Sequence, residues 1–343
     1  MIRIGVVGYG YWGPNVVRNL YNIDGCRVVS VCDRSADALS RVRRAYPDLA
    51  VTDDASELLT SPKIDAIAVV TPVHTHFELA KAALENGKHV FVEKPFTATT
   101  AQAEKLIDLA EQRNLRIMVD HTFLFTGAVK KMRELIDERV LGDLYYYDST
   151  RVNLGLFQHD VSVIWDLAPH DLSIMDYLIR EKAQGIVATG EAHFNGRADV
   201  AFMTVYFPGK TIAHINVNWL SPVKVRTTLI GGEKRMLVWN DLEADEKIRV
   251  YDKGLQVDPA NRGEKDDAAP KGLYELLVSY RSGDMWAPRL DRTEALTVEL
   301  AYFVDCVMNS KRPVNDGVAG ARIVRMLEAA DRSLKERGKE IPL

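Results

Sequence analysis

Six residues near the N-terminus, Gly8-Tyr9-Gly10-Tyr11-Trp12-Gly13, restrict the fold more than anything else in the chain. They separate an apolar, β-branched run (residues 2–7) from a helical pattern that begins at Pro14. In that position a G-x-G-x-x-G makes a specific turn. The first glycine permits a tight bend, the second lets the backbone approach a pyrophosphate, and the third lets helix and strand pack closely. The free amides of the helix start then face the phosphates. Pro14 suits a first helical turn, where a missing N–H costs nothing, and so marks the helix start independently of the glycines. Asp33 closes the next apolar run, 20 residues beyond Gly13, where a carboxylate accepts hydrogen bonds from ribose hydroxyls. Gly8, Gly10, Tyr11, Trp12, Gly13 and Asp33 are therefore expected to hold a dinucleotide. A 2′-phosphate about 5 Å from Asp33 would meet a repulsion of roughly 3 kcal/mol per charge at an effective dielectric of ~20, which favours NAD over NADP. The adjacent Arg34 is placed either to offset part of that repulsion or to lie over the adenine face.

The rest of the first third continues the pattern. Strands are expected at residues 2–7, 27–32, 66–70, 89–92 and 116–119, and helices at 14–21, 36–46, 75–86 and 100–113, the alternation of a parallel sheet covered by helices. After about residue 141 alternating runs follow one another with few helices between them (144–152, 200–207, 211–219, 223–230), which predicts an antiparallel or mixed sheet. One helix is expected within this part, at 169–179, and two at the end, at 293–309 and 317–337; the polar stretch 258–271 reads as a mobile surface loop. At 343 residues the chain exceeds what one hydrophobic core usually fills. The expected fold class is thus α/β: a Rossmann dinucleotide-binding domain (1–122) and an α+β domain (123–343) with a large, mostly antiparallel open sheet, the last helices packing back on the first domain.

Composition excludes several alternatives. Forty-four basic against 48 acidic residues, a net charge of −4, with no long run of one sign, argues against a nucleic-acid partner. No apolar run reaches membrane-spanning length, and the N-terminus runs directly into a strand without signal-peptide features, so a cytoplasmic protein is expected. Cys26, Cys32 and Cys306 are too few and too scattered for a disulfide framework or a metal site.

Ligands of open parallel sheets bind beyond the carboxyl ends of the strands, which directs attention to Thr71-Pro72-Val73-His74-Thr75-His76 and Glu93-Lys94-Pro95. A lysine between a buried strand and a proline has a restricted backbone that fixes where its ammonium points. His74 and His76, lacking further ligands nearby, do not make a metal site; His76 reads as a cofactor contact or a helix-start residue. In the second part, Trp165-Asp166-Leu167-Ala168-Pro169-His170-Asp171 opens the helix expected at 169–179. Pro169 is expected in its first turn and Asp166 near its N-cap. At i and i+4, Asp166 and His170 share one face. Taken alone, the segment reads more readily as an N-cap aspartate followed by a partly buried histidine than as a reacting pair.

The glycine turn, Glu93-Lys94-Pro95 after the fourth of these strands, Asp166-x-x-x-His170 and the closing Asn315-Asp316-Gly317 with its helix together resemble the glucose-fructose oxidoreductase/inositol dehydrogenase/rhizopine-catabolism (Gfo/Idh/MocA) family over nearly the whole chain. Segments 8–20 and 165–171 are similar to its bacterial sugar-nucleotide branch, the 3-dehydrogenases of UDP-N-acetylglucosamine and relatives, apart from Ala168-Pro169, where many relatives have glycine and an apolar residue. The resemblance implies that Lys94, Asp166 and His170 form the reacting centre. His170 would take the hydroxyl proton of a sugar alcohol as hydride leaves its carbon, Lys94 would donate to the reacting oxygen, and Asp166 would bind a hydroxyl or orient the imidazole; the reverse assignment, with Lys94 as base, stays open. By motif position Thr71, Pro72, His76 and Glu93 would line the cofactor, with Tyr11 and Trp12 against the pyrophosphate. Arg151, Asn153 and Trp165 are candidate sugar contacts flanking the mouth of the second domain, with a surface ion pair, a turn residue and core packing as their respective structural alternatives. Alternatives are a free polyol or inositol as substrate, 3-ketoreduction of a deoxysugar nucleotide, or a non-catalytic dinucleotide-sensing regulator, which intact Lys94, Asp166 and His170 argue against. A methyltransferase would leave Lys94-Pro95 and the second sheet unexplained. Pairing through the second sheet predicts a homodimer or homotetramer.

Overall fold

The computed structural model describes residues 1–154, 161–257 and 278–343; the sequence expectation of a loop at 258–271 lies outside the described residues. Six parallel strands form the first sheet: β1 (Ile2–Val7), β2 (Cys26–Cys32), β3 (Ala50–Thr52), β4 (Ala66–Val69), β5 (His89–Val92) and β6 (Ile117–Val119), in the order β3-β2-β1-β4-β5-β6. The order reverses between β1 and β4, and ligands of such sheets bind in the crevice at that switch point. All four residues of β4 are buried. Helices cover both faces, which is why these strands read as continuous apolar runs rather than alternating ones. The covering helices are α1 (Gly13–Asn22), α2 (Ala36–Ala45), α3 (Ala55–Leu59), α4 (Val73–Glu85) and α5 (Thr100–Gln112). α2 starts where the Ser35 side chain accepts the Ala38 N–H, and α5 where Thr99 accepts from Gln102. β3 and α3, three and five residues long, were not anticipated, because segments so short carry little periodicity.

A short 3-10 turn (Thr122–Phe125) and α6 (Gly127–Asp137) lead to the second sheet. Its order is β16-β13-β12-β11-β7-β10-β9-β8-β17, with β7 at Leu144–Leu154, β8 at Gly185–Glu191, β9 at Val200–Tyr206, β10 at Ile212–Asn218, β11 at Leu220–Gly232, β12 at Met236–Asn240, β13 at Ile248–Tyr251, β16 at Met285–Trp286 and β17 at Ile341–Pro342. Pairing is antiparallel except between β7 and β10. Burial alternates along β9 and β10, so one face is packed and the other open. Strands β14 (Gly254–Val257) and β15 (Val278–Arg281) form a separate ribbon.

Three helices fix this sheet to the first. α7 runs Val163–Leu178, beginning six residues before the expected start. Pro169 therefore lies inside it and Asp166 in its first turn, with Ser162 at the N-cap. The expectation that Pro169 must open the helix is corrected. A proline this early removes only the bond to the Trp165 carbonyl, and the buried apolar residues Val163, Ile164, Ala168 and Leu172 hold the helix through it. Of the closing helices, α8 (Ala295–Met308) packs on α1 and the 3-10 turn, and α9 (Gly317–Lys335) packs on α5, α7 and β8 and so bridges the two sheets. Among the described residues no helix is long and apolar enough to cross a membrane.

Candidate active site

The glycine turn has the form its sequence requires. Gly8 has φ +105°, and a Cβ there would lie 2.2 Å from the Val70 carbonyl oxygen; one on Gly13 would lie 2.6 Å from the Gly8 carbonyl oxygen. A Cβ on Gly10 would meet nothing within 4 Å. The turn is therefore closed at its two ends and open in the middle, the shape that admits a pyrophosphate to the backbone. Asp33 is fixed beside it, accepting from the Tyr9 N–H at 2.6 Å and the Ser35 N–H at 2.8 Å. Each carboxylate oxygen keeps a lone pair for a ribose hydroxyl. Arg34 and Tyr11 are exposed. Arg41, which the sequence reading passed over, reaches from α2 to the Tyr9 carbonyl at 3.2 Å and adds a cation beside the turn. These residues fit a dinucleotide.

At the other half of the sheet, Thr71 hydrogen-bonds Thr75 at 2.6 Å, and Pro72 caps α4. His76 is 1 % exposed, with its ring nitrogens 2.9 Å from the Pro95 carbonyl and 2.7 Å from that of Thr71. Of the two roles expected for it the structure gives the helix-start one. It ties the end of β4 to the Lys94-Pro95 loop from behind and has no free nitrogen for a cofactor. Glu93 likewise turns inward, accepting the Lys94 N–H at 2.8 Å.

Lys94 crosses to the second domain. Its Nζ donates to the Asp166 carbonyl at 2.9 Å and stands 3.3 Å from Asp166 Oδ1. The carbonyl it takes neighbours the one that Pro169 leaves without its helical donor. Asp166 Oδ2 accepts from the Trp219 indole at 3.2 Å. One turn along α7, His170 packs its ring against the edge of Phe123, centroids 5.0 Å apart. Its Nδ1 is buried without a hydrogen-bond partner. Burial, and then the nearby charges of Lys94, Arg151 and Arg226, push the His170 pKa well below that of a free imidazole, so the ring is neutral at neutral pH. Lys94 of the first sheet is thus tied to Asp166, one turn before His170 on α7, and its charge is felt at the imidazole.

Two expected sugar contacts are corrected. Arg151 is buried at 2 % exposure and paired with Asp171 at 2.5 Å, its guanidinium 4.5 Å from the Phe123 ring centroid. Alternation along β7 points Tyr147, Ser149 and Arg151 at the packed face, so Arg151 lies behind His170 rather than at a mouth. Trp165 is half-buried, packs against both hydrophobic clusters and gives its N–H to Asp331 of α9 at 2.8 Å, the core-packing alternative to a sugar contact. Asn153 remains partly exposed near the end of β7.

Sequence reasoning missed Asp120, His121, Phe123, Asp171, Trp219 and Arg226. Asp120-His121 directly follows β6, so the rule that singled out the residues after β4 and β5 applied to it as well. Asp120 accepts from Trp12 Nε1 at 3.0 Å and from the Thr122 hydroxyl. His121 is 2 % exposed, both ring nitrogens lack partners, and burial lowers its pKa to about 4. Trp219, Phe123 and Arg226 are distant in sequence and gave no local signal.

Comparison with known proteins agrees with this two-domain fold. Residues 2–121 match the model of an oxidoreductase family with an NAD-binding Rossmann fold, and residues 129–238 match the GFO/IDH/MocA C-terminal domain. The chain is 26 % identical to the UDP-N-acetylglucosamine 3-dehydrogenase of Acidithiobacillus ferrooxidans, over 94 % of each chain. To the myo-inositol 2-dehydrogenase of Thermotoga maritima it is 23 % identical, over 98 % of this chain and 97 % of that one. The crystal structure of GenD2 from gentamicin A biosynthesis, in complex with NAD, superposes with a TM-score of 0.81 at 19 % identity, covering 100 % of this chain and 96 % of that one.

Proposed function

Because the chain belongs to the Gfo/Idh/MocA family of NAD-binding oxidoreductases, we propose that it oxidises a secondary alcohol of a sugar, in particular C3 of a nucleotide sugar such as UDP-N-acetylglucosamine. One observation carries the reading: Lys94 of the first domain is bonded to Asp166, one helical turn from His170 of the second. Bound NAD supplies the hydride acceptor. The protein's part is to hold the alcohol and take its proton.

Lys94 donates to the reacting oxygen and stabilises the alkoxide character it develops as the C–H bond breaks. Asp166, held by Trp219, keeps the ammonium aimed and accepts a neighbouring sugar hydroxyl. His170 takes the hydroxyl proton. Its surroundings oppose a lasting imidazolium, and the positive charge it would gain would be offset by the charge that a bound NAD would lose as hydride acceptor. Gly8, Gly10, Gly13, Asp33 and Thr71-Pro72 hold the dinucleotide, and Asn153 is the remaining candidate of the proposed sugar contacts.

The branch assignment rests on the relative acting on UDP-N-acetylglucosamine, with the inositol dehydrogenase of similar coverage favouring a free polyol as the second reading. The test is to mix the purified protein with NAD and, in parallel, UDP- and dTDP-sugars, myo- and scyllo-inositol and free hexoses, following cofactor reduction. We expect turnover on UDP-N-acetylglucosamine or a close relative. Turnover confined to an inositol moves the substrate to the second reading, and no reduction with any alcohol defeats the proposal.

A further inference from the structure

Three carboxyl groups converge beneath the part of the first sheet that would receive the nicotinamide. Glu93 follows β5, Asp120 follows β6, and Glu299 enters from α8 with no exposed surface. Gly8–Gly13 and Asp33 take the phosphates and one ribose over β1 and β2, which leaves the ends of β4, β5 and β6 for the nicotinamide half. The inference rests on that reading of the cofactor site.

The three groups stand in different surroundings. Asp120 presents both oxygens to donors, Oδ2 to the Trp12 indole N–H at 3.0 Å and Oδ1 to the Thr122 hydroxyl, an arrangement suited to a carboxylate. Burial first, and then the charge of Asp120, raise Glu93 and Glu299 well above the usual carboxylate range, which favours their protonated forms. Glu299 Oε1 is held by Asn315 Nδ2 at 2.9 Å, while its Oε2 is buried without a partner.

The other charges around the centre are paired with opposite ones: Lys94 with Asp166, Arg151 with Asp171, Arg226 with Asp241. Among the described residues Asp120 forms no such pair; its partners are neutral donors, and the adjacent His121, with its pKa near 4, carries no charge at neutral pH. A buried carboxylate with no cation is costly. We propose that Asp120 discriminates between the redox states of the cofactor: its buried charge balances the cationic ring of oxidised NAD and has no counterpart in the neutral ring of the reduced form. Trp12 gives that charge a second role, since its hydrogen bond links the nicotinamide end to the phosphate turn.

The experiment measures dissociation constants for NAD, NADH and ADP-ribose by calorimetry on wild type, Asp120→Asn, Asp120→Ser and Glu299→Gln. Removal of the charge should weaken NAD by roughly tenfold or more while changing NADH by about twofold or less, an effect on the order of one unit of log K for a partly screened charge pair. ADP-ribose, which has no nicotinamide, should bind all four proteins alike, and Glu299→Gln, which keeps a neutral donor, should behave as wild type. Equal losses for NAD and NADH, or no change in either, would overturn the proposal. A Glu299→Gln effect matching that of Asp120→Asn would also overturn it, because the charge would then not reside on Asp120. If neither Asp120 variant folds, the residue is structural and the proposal fails. Failure of wild type to bind ADP-ribose would instead defeat the reading of the first domain on which it rests.

Discussion

His121 shows how a single buried side chain sets a property of the whole protein. Its neutral ring lies among buried groups with neither nitrogen satisfied, and its pKa of about 4 sits below the 6.5 of an exposed imidazole. As pH falls below 6.5 the unfolded chain gains a proton that the folded chain refuses until about pH 4. Stability from this group is therefore complete above pH 6.5 and declines between 6.5 and 4, by up to roughly 3 kcal/mol. His121→Leu removes both the titration and the unsatisfied nitrogens. Urea unfolding of the two proteins across pH 4–8 should show the variant at least as stable at pH 7 and increasingly ahead below 6.5; a difference independent of pH would show that His121 is not buried neutral. His170, depressed by burial and by three cations, adds to the same acid sensitivity. The two histidines differ in use: His170 adjoins the Lys94–Asp166 pair, His121 lies behind it.

At the scale of the element, the turn between β1 and α1 divides its glycines by task. Gly8→Ala places a methyl in left-handed backbone against the Val70 carbonyl and should cost on the order of 2–4 kcal/mol. Gly10→Ala enters open space; its melting temperature should stay within a few degrees of wild type while NAD affinity falls about tenfold or more, and a Gly10→Ala protein that binds NAD normally would show that the phosphates do not approach there. This turn was legible because two helix signals and an acid at fixed distance reinforced the glycines, and the first-sheet strands were legible because burial on both faces leaves continuous apolar runs. Where packing overrode local preference the sequence misled. α7 continues through Pro169 because its buried residues, not its propensity, hold it together. Arg151 reads as a surface residue by type and is fixed inside by Asp171, twenty positions away in sequence. Trp219 and Arg226 are brought in by sheet topology, which no local pattern encodes, and Phe123 by the 3-10 turn after β6.

For the whole molecule the central feature is that neither domain carries the proposed reacting centre alone. Lys94 and Asp120 come from the first sheet, Asp166 and His170 from the second domain, and α8, α9 and Trp165 keep the two in register. The open face of the second sheet is a separate surface. Tyr206 and Tyr146 flank Ile212 in the paired register of β9, β10 and β7, with Phe202 further along; Tyr206, Ile212 and Phe202 are each more than a third exposed. An apolar row of this kind on a flat sheet face suits a second copy of the chain. We expect light scattering to give the mass of a dimer or tetramer, and Ile212→Lys with Tyr206→Glu to give a monomer that still binds NAD; a wild-type monomer would contradict this. The account depends above all on Lys94 and His170 acting on one hydroxyl. The most direct measurement is turnover and NAD affinity together in Lys94→Ala and His170→Ala, using whichever alcohol the wild type oxidises. Each variant should lose about 10²–10⁴-fold in turnover with NAD binding kept within a few-fold; near-normal turnover in either would contradict the mechanism.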